Sequence, residues 1–150
     1  AGVLISSSGA AASIEGNEIY ANERPGVVIL SNADPTVRAN RIYDGHENGV
    51  WVFEHGKGQL LCNELFNNAE SEIAISNGAE PVVRRNIIQH DAHLGVDVGE
   101  AGAGSLSGNQ FFGDPKLHFN PPPPGAPADG RSRLSSRTFS FVAAVSVPSR

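Results

Sequence analysis

Two histidines and a carboxylate fall within four residues at His90-Asp91-Ala92-His93, a spacing that resembles a metal-binding set. Imidazole nitrogens are good zinc ligands, but a structural site closes on four ligands and a catalytic one on three. No cysteine and no third histidine stands nearby in the chain, so the segment reads as a polar turn. No metal and no other cofactor is expected. The remaining histidines, His46, His55 and His118, also fall in turns or in the C-terminal stretch. The one cysteine, Cys62, excludes an internal disulfide and occupies a position where packing is expected rather than thiol chemistry. Glycoside hydrolysis needs two facing carboxyl groups. Asp97 is the one acid expected on an outward strand position, while Glu54 and Glu100 belong to loops at other offsets. A lyase would want clustered acids for calcium and a basic proton acceptor, and no cluster offers both. No catalytic residue is expected. The remaining candidate is apolar: Leu4, Val28 and Trp51 should form an exposed column, and such patches mark partner surfaces.

What positions these residues is a repeat. Asn17, Asn40, Asn63, Asn86 and Asn109 are each 23 residues apart. A period in the range of about 20–50 residues marks a stacked architecture. Three residues before each Asn stands Ile14, Val37, Leu60, Val83 or Leu106, and two after it Ile19, Ile42, Leu65, Ile88 or Phe111. Gly26, Gly49 and Gly95 follow nine residues after, with Glu72 as the exception. Then come the pairs Val27/Ile29, Val50/Val52, Ile73/Ile75 and Val96/Val98. Apolar residues spaced by two are strand periodicity. Short strands joined by turns at this length describe a right-handed parallel β-helix of about five coils, an all-β solenoid. Coils about 4.8 Å apart would give a rod roughly 24 Å tall.

The Asn column is expected to be a structural ladder. An inward Asn offers two donors and two acceptor lone pairs to backbone that a corner leaves unpaired. A second turn is expected at Asn22, Gly45, Asn68, Asp91 and Asp114, residue types that tolerate positive φ. Tyr20, Tyr43, Phe66, Gln89 and Phe112 form a second outward column, read as an aromatic stack that stabilises the rod.

The rod is expected over residues 1–112, opening directly inside a coil, as a fragment without an N-terminal cap. Residues 113–150 are expected to be a Pro-rich, disordered tail, since Pro121–Pro124 cannot join a ladder. Phe139 and Phe141 lie in a strand-like stretch, 138–147, expected to stay loose. Residues 1–112 carry 14 Asp/Glu against 6 Lys/Arg, and an acidic rod argues against nucleic acid as a partner. No apolar run is long enough to span a membrane.

The wording of NEIYAN (17–22), PTVRANRIYDGHENGVWVF (35–53) and PVVRRN (81–86) resembles the CASH-type right-handed β-helix repeats of F-box-only proteins. The resemblance covers roughly residues 2–112. In that family an F-box elsewhere in the chain binds the adaptor of a cullin-based ubiquitin ligase, and the β-helix recruits substrate. The resemblance therefore implies a non-catalytic, substrate-recruiting module of the cytoplasm or nucleus whose partner is a protein. The adaptor would be reached only through an F-box, which these 150 residues do not contain. Related repeats serve bacterial copper-site maturation proteins and polysaccharide-processing enzymes, so a carbohydrate-binding or carbohydrate-active β-helix is the alternative. A scaffold rod without a specific ligand is the third reading.

Overall fold

The computed structural model describes residues 1–9 and 11–120, together with the backbone of residues 139–147. Each coil contributes three short strands. The first holds β1 (Val3–Ser6), β2 (Ser13–Glu15) and β3 (Glu18–Tyr20). The second holds β4 (Val27–Leu30), β5 (Thr36–Arg38) and β6 (Arg41–Tyr43). The third holds β7 (Val50–Val52), β8 (Gln59–Leu61) and β9 (Glu64–Phe66), and the fourth β10 (Ile73–Ile75), β11 (Val82–Arg84) and β12 (Ile87–Gln89). In the fifth, β13 (Val96–Val98) is followed by one continuous strand, β14 (Gly104–Phe112), which supplies both remaining faces.

All pairings are parallel. One sheet runs β1-β4-β7-β10-β13 and ends on β15 (Phe119–Asn120). The other two faces, β2-β5-β8-β11 and β3-β6-β9-β12, join through β14 into one bent sheet. The register steps by 24 residues between β1 and β4 (Val3 opposite Val27) and by 23 thereafter (Val27 opposite Val50, Val50 opposite Ile73). Inward residues therefore stack on their equivalents, and Val27, Ile29, Val37, Ile42, Val52, Ile73, Ile75, Val83 and Ile88 are sealed from solvent. Burial of each such side chain contributes about 1.5–3 kcal/mol.

The ladder forms as the period implies. Asn63 accepts at Oδ1 from the Asn40 backbone N–H (3.0 Å) and Nδ2 (3.1 Å), and donates from Nδ2 to Val37 O (2.9 Å) and Asn86 Oδ1 (3.0 Å). Asn17 departs from the pattern: it is exposed, and its Nδ2 turns to Glu15 O (3.1 Å) as well as to Asn40 Oδ1.

The corners differ from expectation in one respect. Positive φ falls on Ala21, Asp44 and Asn67, one residue before the expected column of Asn22, Gly45 and Asn68. The left-handed residue makes the bend, and the next side chain then turns inward: Asn68 is buried and donates to Ile42 O at 3.1 Å. The residue before each ladder Asn is also left-handed, at Gly16, Ala39, Cys62, Arg85 and Gly108 (φ between 54° and 67°).

The coil pattern also runs past Phe112. A 3-10 turn, Pro115–Leu117, leads into β15, where Phe119 pairs with Val96 and packs into the core. Two residues suffice to extend the sheet, too few to show a period. The expected Pro121–Pro124 extension lies outside the described residues. A further strand, β16 (Phe139–Val147), pairs in parallel with β14, with a register shift near Ser107.

Candidate partner-binding face

The outer face of the first sheet brings Leu4, Val28, Trp51, Ala74, Asp97 and Asn120 into one column by backbone register. Leu4 is 63% exposed and Trp51 half-buried, whereas Val28 is only 7% exposed. Val28 therefore corrects the expectation of three solvent-facing side chains: it is covered in the column between Leu4 and Trp51 and supports them. A second outward column, two residues further along each strand, adds Leu30 and Phe53. Sequence reasoning missed it, although Leu30 and Phe53 keep the 23-residue step. The Trp51 ring stacks on Phe53 (centroids 4.1 Å apart, planes 22° from parallel), and its Nε1 donates to Ser76 Oγ at 3.3 Å. Held at both ends, the indole is an ordered shelf with little rotamer freedom left to lose on binding.

Charge surrounds this shelf. Two strands below Trp51, Asp97 accepts from Asn120 Nδ2 at 3.0 Å. Beside it opens a cleft of about 340 Å³ whose wall includes Asn48, Glu70, Ser71, His93 and Asp97. Glu54 and Glu100 are exposed in the loops that follow β7 and β13. On the preceding loops, Glu47 is paired with Arg24 (3.1 Å) and Glu23 with His46 (3.1 Å).

The aromatic column on the third face has a different character. Tyr20, Tyr43 and Phe66 stack nearly parallel, with centroids 5.3 and 4.7 Å apart. Tyr43, the inner ring, spends both faces on its neighbours, whereas Tyr20 at the end of the stack is 56% exposed. Beside them Arg41 bridges Glu18 (2.8 Å) and Glu64 (3.2 Å), and the Tyr43 hydroxyl donates to Glu18 Oε2 at 2.6 Å. The Tyr43 hydrogen bond, then Arg41, hold the Glu18 carboxyl below its ordinary range. An acid tied this way is poorly placed to donate a proton.

The other chemical candidates separate in space. Within His90-Asp91-Ala92-His93, Asp91 and His93 are exposed, while His90 turns into the core and meets His118, Nε2 to Nδ1 at 2.6 Å. Both imidazoles are buried, which corrects their assignment to a polar turn and a loose tail. Desolvation lowers the pKa of each, to about 4 for His118. Among the described residues no group of three or more His, Cys, Asp or Glu is arranged to hold a metal ion. Cys62 is exposed on its left-handed corner, which corrects the expectation that it serves packing; the same corner is held by Arg85 in the next coil. Glu72, the exception in the Gly column, is buried. Its two oxygens accept from the Asn68 backbone N–H (3.2 Å) and from Asn68 Nδ2, and desolvation raises its pKa to about 8.

The fold and its faces define a parallel β-solenoid that displays an aromatic shelf on its first sheet. The chain belongs to the family described as right handed beta helix region, whose model matches residues 1–118. No curated protein and no solved structure matches the chain. Among the described residues no helix is long and apolar enough to cross a membrane.

Proposed function

We propose that this β-helix is a non-catalytic recruiting module that binds a protein partner on the outer face of its first sheet. The observation that carries the reading is the Trp51–Phe53 shelf, with an exposed Leu4 two strands away in the same column. Docking must offset about 4–15 kcal/mol of lost rigid-body freedom, and pre-ordered aromatic surface supplies that better than solvated charge. The resemblance to F-box-only repeats gives the partner a role: substrate of a cullin-based ubiquitin ligase, captured in the cytoplasm or nucleus. The ligase adaptor would be engaged through an F-box outside these residues. What supports the protein reading over the carbohydrate alternative is that both faces of Tyr43 are taken by its neighbours and that Arg41 clamps Glu18 and Glu64.

The test compares capture of protein from cytosolic extract by the wild type and by Trp51→Ala, with a melting curve for each. Trp51→Ala is expected to weaken capture by about 2 kcal/mol or more, the scale of an interface hot spot. Equal capture by both, or retention of the rod on a polysaccharide column, would count against the reading.

A further inference from the structure

The recruiting face also indicates the chemistry of its ligand, an inference that rests on the protein-partner reading above. Its apolar half is confined to the upper strands, where Leu4, Leu30, Trp51 and Phe53 lie on β1, β4 and β7 or directly after them. Its lower half turns acidic. Asp97 stands in the Trp51 column two strands below, and the 340 Å³ cleft beside it is walled by Glu70 as well. Neither acid is in an ion pair with Lys or Arg among the described residues, in contrast to Glu18 and Glu64 on the third face and to Glu47, one coil from Glu70, which pairs with Arg24. The one cationic candidate at the cleft is His93, which is exposed.

Spacing converts this layout into a sequence preference. Strands stack about 4.8 Å apart, so Trp51 and Asp97 are separated by about 10 Å along the rod. An extended peptide advances about 3.3 Å per residue, so that distance spans roughly three residues. A bulky apolar side chain on the shelf would thus place a cationic side chain near the acidic cleft if the two stand about three residues apart. Charge complementarity then supplies orientation and encounter rate, while the shelf supplies affinity.

We infer that the ligand of this face is a protein segment in extended conformation carrying an aromatic or large aliphatic residue about three positions from a Lys or Arg. An acidic segment would meet like charge at Asp97 and Glu70 and be rejected.

A random twelve-residue peptide library displayed on phage, selected on the immobilised full chain, reads this preference directly. Selected sequences should be enriched in pairs of an apolar residue and Lys or Arg at a spacing of two to four. Synthetic peptides from the selection should bind at least 10-fold more weakly to Trp51→Ala and to Leu4→Glu. The latter changes an exposed side chain and leaves the core intact. The double variant Glu70→Gln/Asp97→Asn should weaken them at least 5-fold and flatten their salt dependence. Peptides that need Trp51 but show no basic residue and no response to Glu70→Gln/Asp97→Asn would overturn this inference and leave the protein-partner reading standing. Peptides indifferent to Trp51 and Leu4, or no selected peptide at all, would overturn both.

Discussion

At the scale of single residues, the ladder and the buried ionisable groups set the stability of the rod. Asn63 makes four side-chain hydrogen bonds inside the core, whereas Asn17, exposed in the first coil, makes two and leaves its Oδ1 outside the ladder. Asn63→Ala should therefore cost about 1–3 kcal/mol and Asn17→Ala clearly less, as read by urea titration. The reverse order would mean that the ladder does not carry the corner. Acid and base should act on different groups. His118 and His90 have folded pKa values below the ordinary imidazole range, so the unfolded chain takes up protons first. Stability should fall as pH drops below about 6.5 and go on falling towards about 4. Glu72 has the opposite sign: its folded pKa of about 8 lies above its unfolded value, so its contribution is complete below about 4.5 and lost as pH rises through about 8. Glu72→Gln should flatten the alkaline limb of a stability profile between pH 6 and 9, at the cost of one of the two hydrogen bonds from Asn68, because an amide accepts only at its oxygen. An unchanged limb would show that Glu72 does not titrate in the fold.

At the scale of the coil, the corners explain residue choices that periodicity alone misread. The position before each ladder Asn is left-handed, a conformation that costs about 1–2 kcal/mol for residues other than Gly. Cys62 sits there at φ 54°, so Cys62→Val should lower the melting temperature while Cys62→Gly should not, because a β-branched residue is least tolerated at that angle. Equal melting of the two variants would contradict the backbone explanation. Gly49 has a separate constraint: a Cβ there would lie 2.6 Å from Glu72 O, the carbonyl of the next coil. Glu72 occupies the same column with a side chain, and its carboxyl is held by Asn68. The inward columns, the ladder and the 23-residue step were legible in the sequence because each is a type conserved from coil to coil within this one chain. The missed features break the beat. His90 replaces a left-handed corner residue and turns inward, and β15 pairs with β13 through only two residues. The burial of Val28 depends on its neighbours in adjacent coils, which alternation along one strand does not reveal.

At the scale of the molecule, the rod is a rigid display whose three faces carry different work. The third face spends its side chains on itself, through the Tyr20–Tyr43–Phe66 stack and the Glu18–Arg41–Glu64 ladder, and on the second Arg38 lies 3.7 Å from Glu15. The first face keeps an ordered aromatic shelf above acids that are in no ion pair with Lys or Arg among the described residues, and that asymmetry underlies the proposed recruiting role. Photo-crosslinking tests it most directly. A photoreactive phenylalanine analogue would replace Trp51 in one variant and Arg84, exposed on the second face, in another. After irradiation in cytosolic extract, position 51 should yield discrete protein adducts that position 84 lacks. Those adducts should disappear when Leu4→Glu is added. Adducts of equal yield and identity from both positions, or adducts from position 84 alone, would contradict a recruiting face on the first sheet.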